Sequence, residues 1–408
     1  MKKIQWSGRA TVYTCFVAYF IQAIICNFPP LLFVFYHEQL GISWGLVTLL
    51  TTLMFLIQLV VDVLSGRIVS FLGYRGAALC ATGCAAAGLL CLAFLPFTVR
   101  PAFLGVLIPT MLYSVGAGLL EVIVNPLVEG ATDGKGGALS LLHSFYCWGA
   151  AGTILISVLF FRTAGIDRWP WLTLFWVSVC AVDFVLFLKV PVSVAVPAGQ
   201  GMKMRELLKN KLFFLFFFLM LCAGATEQSV AQWISSFFEK ELHFSKDLGD
   251  FIGPFLFLIC MGVFRVIYSK LPETWNKSGY LFAMAVLCLV SYGLIAFSPW
   301  MPLTLAGFLL VGVGVAAMWP GVVSMASGAF PAGGTALFAA MALGGDIGCT
   351  GGPTVNGYLS DAASDMRMGM AGTAVFPLFL TFGFALLFIR SRKNGKAGTD
   401  PSRKGQDV

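Results

Sequence analysis

Residues 35–43 read FYHEQLGIS, and residues 237–245, about 200 positions later, read FFEKELHFS. Each stretch follows a long apolar run, and the two share Phe, a second aromatic residue, Leu and Ser in the same order. KGGALSLLHSF from residue 135 and AGGTALFAAMA from residue 332 match at nearly the same separation. Two matches at one separation predict a duplicated chain whose halves run in the same direction through a membrane.

The composition excludes an ordinary water-soluble core. Of the 408 residues, 58% are hydrophobic and 11% are charged, whereas soluble proteins are about 25% charged. Apolar runs of the length needed to cross a roughly 30 Å hydrocarbon layer as a helix recur along the whole sequence. The first run follows MKKIQWSGR and continues to about residue 35, which is too long for the core of a signal peptide. We therefore expect a polytopic membrane protein with a retained first helix.

Turns and charged residues divide the chain into an all-α membrane protein of twelve transmembrane helices in two six-helix halves. The predicted domains are an N-terminal bundle (1–190), a cytoplasmic linker rich in Pro, Gly and basic residues (191–210), a C-terminal bundle (211–390) and a basic cytoplasmic tail (391–408). The predicted helices are 10–35, 43–65, 76–97, 102–128, 138–161, 169–190, 211–236, 248–269, 279–298, 301–327, 334–359 and 370–390.

The positive charges indicate topology. Most of the 26 Lys and Arg residues, Arg265 among them, fall at helix ends on the side that also holds both termini. The positive-inside bias predicts that both termini are cytoplasmic, in a plasma or inner membrane. The net charge of +7 forms no basic patch with interleaved aromatic residues, so no nucleic-acid partner is expected. We expect a monomer whose partners are the lipid bilayer, protons and a small molecule.

The sequence shows no pattern typical of an enzyme, a metal site or a cofactor site. The eleven cysteines fall mainly in apolar runs and form no CxxC pair, and the three histidines lie on separate elements. No Ser-His-Asp order or phosphate-binding loop occurs. We predict neither a catalytic residue nor a bound metal or cofactor.

Four carboxyl side chains stand out within the predicted helices: Glu121, Glu227, Asp346 and Asp62. An ionised group at the bilayer centre costs about 2.5–3.5 kcal/mol on insertion scales, so such acids are functional candidates. Asn125 lies one turn after Glu121 on the same helix face, and the pair could share one ligand. Apolar surroundings disfavour the ionised carboxylate, which suits a proton-coupling group. The alternative is a neutral Glu121 that fixes helix packing. Asp183, near a cytoplasmic helix end, is expected to reach the surface.

A cluster in helix seven suits a neutral polyhydroxylated ligand. Gln228 and Gln232 lie one turn apart, next to Glu227 and Trp233; amides donate and accept hydrogen bonds, and an indole face packs against the C–H side of a sugar ring. Amphipathic compounds would also bind aromatics, and such amides can instead join helices. For His143, a proton relay and a gate hydrogen bond are both open. The predicted cavity also includes Gln22, Asn27, Tyr146, Trp319 and Asp346.

The turn after helix two, SGRIVSFLGYRG, resembles the carrier motif of the major facilitator superfamily, and the resemblance covers essentially the whole chain. Gly66, Gly73 and Arg75 match the motif, whereas its usual Asp is absent. Asp62, one turn before Gly66, could meet a cytoplasmic Arg instead. These four residues are predicted to gate the carrier, since an ion pair made in one state biases that state. The alternative is simple anchoring of the basic side chains.

The stretch GLLEVIVNP resembles the Glu-x-x-x-Asn-Pro signature of fucose–proton symporters. CAGATEQSVAQWISSF in helix seven and LGGDIGCTGGP in helix eleven resemble the corresponding stretches of carriers that are grouped with fucose permeases. The resemblance implies that Glu121 couples protons and lies at a sugar site. The second acid of that group, in helix one, is replaced here within CNFPPLLF, which offers Asn27. Glu121 would therefore couple alone, or through Glu227 or Asp346.

The sequence thus favours a secondary transporter of a small polar solute, most simply a sugar or sugar-like compound, by proton-coupled symport with alternating access. An exporter of amphipathic compounds is the alternative, and the 38 phenylalanines make it possible. A membrane sensor or enzyme without transport is disfavoured because no soluble domain accompanies the helices.

Overall fold

The computed structural model describes residues 8–133, 136–272 and 274–397, and these form helices joined by short connections. Residues 1–7 and 398–408, which include most of the predicted basic tail, lie outside the described residues. The first six long helices are α1 (Gly8–Glu38), α2 (44–72), α3 (74–98), α4 (Ala102–Ala131), α5 (Gly136–Ala164) and α6 (Trp169–Lys189). The next six are α7 (Lys211–Lys240), α8 (Lys246–Ser269), α9 (Lys277–Phe297), α10 (Met301–Ala329), α11 (Gly334–Ala363) and α12 (Met366–Arg392).

Nine helices of the described part are long and apolar enough to cross a membrane. One of them, Trp44–Thr98, contains two crossings joined at Gly73. Dividing it, and adding α8 and α11, gives twelve crossings in two six-helix halves. The predicted fold class is therefore confirmed, although most of the helices extend a few residues beyond the predicted ends.

The sequence supplies the helix starts. Pro101 precedes α4 in an extended conformation, and Pro170 and Pro302 occupy the first turns of α6 and α10, where a missing N–H costs nothing. Asn210 caps α7 by accepting a hydrogen bond from the Leu212 amide at 2.9 Å. These caps agree with the turn signals that divided the chain.

The connection between α2 and α3 is tighter than the sequence suggests. Residues 66–72 continue α2, and the break falls at Gly73, whose φ of 68° and ψ of 168° lie in a region open essentially to glycine alone. Gly66 stays helical, and a Cβ added to it would meet no atom within 4 Å. The break between the two helices is therefore a single glycine, not a ten-residue turn.

The helices of each half pack mainly on one another. In the first half α1 contacts α4 and α5, and the α2–α3 pair contacts α4 and α6; in the second half α7 packs along α11, and α9 contacts α10 and α12. The halves meet where α5 contacts α8 and α10, and where the α2–α3 pair and α4 contact α11. The linker after α6 contains one short helix, Met204–Leu207.

Candidate functional site

A cavity of about 940 Å³ lies between the two halves. Side chains of α1, α2, α4, α5, α7, α8, α10 and α11 line it, so both halves contribute. At one end the lining reaches the exposed side chains of Tyr358 and Asp361, close to the end of α11. At the other end it stops at the buried side chains of Arg265 and Asp346. The cavity therefore opens at one face and ends near the middle of the bundle.

Contacts between the halves close the face at which α1 begins and α12 ends. The Tyr74 hydroxyl lies 2.8 Å from the Thr335 hydroxyl, joining the start of α3 to the start of α11. The Ser140 hydroxyl of α5 donates to the Arg265 carbonyl of α8 at 2.7 Å. The linker adds a third contact, since the Met202 amide donates to the Ala332 carbonyl at 2.8 Å. This face is sealed in the structure.

Glu121 lies in the cavity wall on α4, with 7% of its surface exposed. Gln22 of α1 donates from Nε2 to Glu121 Oε2 at 2.6 Å. The amide supports the ionised carboxylate, whereas the apolar helix around it favours the neutral acid.

Asn125 does not share the cavity with Glu121, contrary to our expectation. Its Nδ2 donates to the Glu121 backbone carbonyl at 2.7 Å, and its Oδ1 lies 3.1 Å from His143 Nε2. A carbonyl only accepts, so the first bond fixes the orientation of the Asn125 amide and makes His143 Nε2 the donor in the second. Asn125 is thus a support behind the wall that orients His143, which itself lines the cavity floor.

Arg265 is not one of the cytoplasmic anchors that its charge suggested. Its side chain is only 3% exposed. It donates to Glu227 Oε2 at 3.1 Å, to the His143 carbonyl at 3.0 Å, to Cys147 Sγ at 3.1 Å and to the Ala316 carbonyl at 3.2 Å. The Ala316 carbonyl lies at the interruption of α10 between Val315 and Met318, and residue Pro320, four positions later, has no N–H to donate to it. The signal in the sequence was a single Arg inside FLFLICMGVFRVIYS.

The predicted amide and indole cluster of α7 lies on the cavity. Gln228, Gln232 and Trp233 all belong to the lining. Trp233 donates from Nε1 to the Pro353 carbonyl of α11 at 3.0 Å, which fixes the orientation of the ring. The two amides and the indole thus border the same space.

Trp319 reaches the cavity because α11 has no side chain at Gly345. A Cβ on Gly345 would collide with the Trp319 ring. The ring centroid of Trp319 lies 6.4 Å from that of His143 across the boundary between the halves. Tyr146 lines the same region, and Asn27 lines the wall nearer the open face, with its Nδ2 donating to the Ala23 carbonyl at 2.9 Å.

The predicted gating residues separate into two places. Arg75 donates to the carbonyls of Phe187, Leu188 and Val190 at 2.7–2.9 Å, and these carbonyls belong to the end of α6. It therefore caps a helix and forms no salt bridge with a carboxylate of the described residues. Asp62 is 1% exposed, and the ion pair expected for it is not formed within the same part of the chain.

Asp62 instead faces Asp346. The two carboxyl groups lie within hydrogen-bonding reach of each other, one on α2 and the other on α11. Asp346 lines the floor of the cavity, and Asp62 lies behind it. Both residues thus belong to the contact between the halves.

Asp183 also differs from expectation. It is buried in α6, and neither carboxyl oxygen has a hydrogen-bond partner in the part of the chain that the structure describes. It does not extend to the surface, and it does not line the cavity. Among the described residues, no group of three or more His, Cys, Asp and Glu side chains could hold a metal ion.

Comparison with known families and solved structures shows what this chain is similar to. The sequence profile of the Major Facilitator Superfamily matches residues 14–332. A search of the curated proteins found no match.

Among solved structures, the E. coli fucose:proton symporter FucP superposes with a TM-score of 0.77 at 14% identity, over 92% of this chain and 98% of its own. The human organic anion transporter MFSD10 gives 0.74 at 15% identity, over 93% and 100%. The proton:xylose symporter XylE gives 0.70 at 12% identity, over 92% and 94%. At these identities the likeness establishes the fold.

Proposed function

Because the chain belongs to the Major Facilitator Superfamily and is therefore a multi-pass membrane transporter, we propose that it carries a neutral polar solute in symport with protons. The solute is a sugar or a sugar-like compound, and Glu121 is the group that binds and releases the coupled proton. The two halves move against each other, so that the cavity opens to one side of the membrane at a time.

The position of Glu121 supports the proposal most strongly. The carboxyl group lies in the wall of a cavity that is open at one face and sealed at the other. Its bond to Gln22 stabilises the ionised form, and burial stabilises the neutral form. Such a group can take a proton from the open side and release it when the opposite side opens.

The charges of the lining favour a neutral solute over an anion. Glu121, Glu227 and Asp346 are acids, and Arg265 is the one Lys or Arg side chain of the described lining. Its guanidinium already bonds to Glu227 at 3.1 Å. An organic anion would meet uncompensated carboxyl groups, whereas sugar hydroxyls could bond to Gln228 and Gln232 and a pyranose could pack on Trp233.

FucP has been solved in an outward conformation, with a TM-score of 0.75 at 14% identity to this chain. With both termini in the cytoplasm, as the basic residues indicate, the present cavity would also face outward. We further propose that the carrier is a monomer in a plasma or inner membrane. A cytoplasmic linker, residues 191–210, would join an N-terminal bundle (1–190) to a C-terminal bundle (211–390). The roles of Asp62, Gly66, Gly73 and Arg75 in gating belong to the proposal as well.

An exporter of amphipathic compounds is the second candidate. Part of the lining is apolar, with Phe55, Phe257, Leu258 and Met261 facing the same space as the amides. Expression of an exporter would raise the tolerance of cells to lipophilic cations. A symporter of neutral solutes would leave that tolerance unchanged.

The test is Glu121→Gln in proteoliposomes. The probes are radiolabelled neutral monosaccharides, including fucose and xylose, chosen by their effect on the melting temperature of the purified protein. We expect the variant to lose proton-driven accumulation and to keep counterflow exchange, because the amide has the shape of the neutral acid without its titration. Asp183→Asn, which also removes a buried carboxyl group, is the control and should accumulate solute normally. Full accumulation by the Glu121 variant would contradict the proposal.

A further inference from the structure

Asp62 and Asp346 form a buried carboxyl pair across the contact between the two halves. Asp62 belongs to α2 and Asp346 to α11, and their side chains lie within hydrogen-bonding reach of each other. They are 1% and 6% exposed. The pair lies at the floor of the cavity, between the open space and the sealed face.

Few neighbouring groups of the described chain can balance the negative charge of this pair or donate hydrogen bonds to it. Neither oxygen of Asp62, nor Oδ2 of Asp346, accepts a hydrogen bond within the part of the chain that the structure describes. No salt bridge of that part reaches either carboxyl group. Gln58, one turn before Asp62 on α2, is buried with an Nε2 that also lacks a partner there. The nearby titratable groups are Tyr19 and Cys26 on α1, Glu121 on α4, Glu227 on α7 and Cys349 on α11.

Two carboxylates cannot face each other at this range in the ionised state, because both are acceptors and both are negative. A proton between them removes one charge and supplies the missing donor. We propose that Asp62 and Asp346 share one proton whenever the halves are closed at this face, which makes the pair a pH-sensitive latch. The remaining negative charge is then held in a short hydrogen bond between the two helices.

The pH dependence of the latch follows from the change in the surroundings of the pair when the sealed face opens. When the sealed face opens, α2 and α11 separate, water reaches both carboxyl groups, and the shared proton can leave to that water. The closed state therefore binds up to one more proton than the open state. By linkage, acid on that side favours closure and alkali favours opening, with a change of up to about tenfold in the equilibrium for each pH unit.

Other contacts between α11 and the first half lie beside the carboxyl pair, and we call this contact region the seam. Val122 of α4 packs with Ala339 and Ala342 of α11 in a small buried cluster. The hydrogen bond between Tyr74 and Thr335 lies at the outer edge of the same seam. Separation of α11 from the first half would thus break the pair, the apolar cluster and the edge bond together.

The inference rests on the alternating-access part of the proposed function, and it holds whatever the solute is and whichever group carries the coupled proton. It can therefore be tested without a substrate. Fluorescent dyes are attached through unnatural amino acids at Phe71 and Ala329, two exposed positions on the sealed face in different halves. Single-molecule energy transfer then gives the ratio of closed to open molecules as a function of pH.

We expect the ratio in the unmodified sequence to fall as pH rises, with a slope of up to about tenfold per unit. Asp62→Asn should remove the part of this slope that the pair contributes while the face still closes, because the amide donates permanently to Asp346. Asp346→Asn should do the same from the other helix. Asp183→Asn, at a buried acid away from the seam, should keep the full slope.

Exchange between closed and open states that shows the full slope in both seam variants would overturn the latch. A flat ratio in the unmodified sequence would do the same. A face that never opens, at any pH and in any variant, would overturn the alternating-access function and the latch with it. The measurement thus separates failure of the latch alone from failure of the function on which it rests.

Discussion

Arg265 joins four helices through one guanidinium. It sits on α8, and its hydrogen bonds reach Glu227 on α7, the His143 carbonyl and Cys147 on α5, and the Ala316 carbonyl at the interruption of α10. Two of these bonds cross to the first half. Because Glu227 lines the cavity, this side chain connects the binding space to the seal between the halves.

Removing one partner of this buried pair should cost more than removing both. Arg265→Met leaves the Glu227 carboxylate without its counter-charge, and such losses are typically about 3–5 kcal/mol. Arg265→Met combined with Glu227→Met removes that unpaired charge, so part of the stability should return. The measurement is thermal unfolding of the two variants and of Glu227→Met in one detergent. A double variant no more stable than Arg265→Met alone would show that the pair carries no such penalty.

At this scale the sequence predicted most of the candidate site. Acids and amides stand out in an apolar helix because burying them is costly, and all of the proposed coupling and binding residues except Asn125 line one cavity. Asn125 was misplaced because its position on the face of Glu121 does not reveal that its amide is already bonded. Arg265 was missed because a basic residue near a helix end looks like a topology signal. The roles of these residues stay predictions.

At the scale of single helices, the helix ends could be predicted from the sequence and the interruption of α10 could not. Proline starts and asparagine caps are local, so the sequence predicts them, and the helix order follows from the apolar runs. The interruption of α10 near Ala316 was not predicted, because AAMWP sits within a run that reads as one continuous helix. The Ala316 carbonyl at this interruption accepts a hydrogen bond from Arg265, 51 residues earlier in the chain.

Gly73 gives a prediction at the same scale. Its φ of 68° and ψ of 168° would strain any residue with a Cβ, at a cost of about 1–3 kcal/mol, so Gly73→Ala should lower the melting temperature. Gly66→Ala is the matched control in the same motif. Gly66 is helical with open space around a Cβ, and alanine there should be neutral or stabilising by up to about 1 kcal/mol. Equal melting temperatures for the two variants would show that the conformation at Gly73 does not require glycine.

The whole molecule is a pair of six-helix bundles that enclose a cavity open at one face. The duplication in the sequence predicted the pair of bundles, because matching segments that are six helices apart have the same orientation in the membrane. Which face is closed could not be predicted, since the seal depends on contacts such as Tyr74 with Thr335, more than 250 residues apart. The pairing of Asp62 with Asp346 was equally hidden, because nothing in either helix points to the other.

The seal, the carboxyl pair and the Glu121 site together describe a carrier in which proton binding and closure are linked. Glu121 faces the open cavity, whereas Asp62 is buried beneath the floor. The proposed coupling site and the proposed latch thus use different carboxyl groups, Glu121 for the first and Asp62 with Asp346 for the second. A variant at one should leave the behaviour of the other measurable.

Solute-driven proton movement tests the central proposal most directly. Proteoliposomes containing a trapped pH-sensitive dye receive the neutral monosaccharide that most raises the melting temperature of the purified protein, with no pH gradient imposed. Symport predicts that the lumen acidifies as the sugar enters, that Glu121→Gln abolishes the acidification, and that Asp183→Asn keeps it. Sugar uptake at the normal rate without any change in lumenal pH would contradict the account.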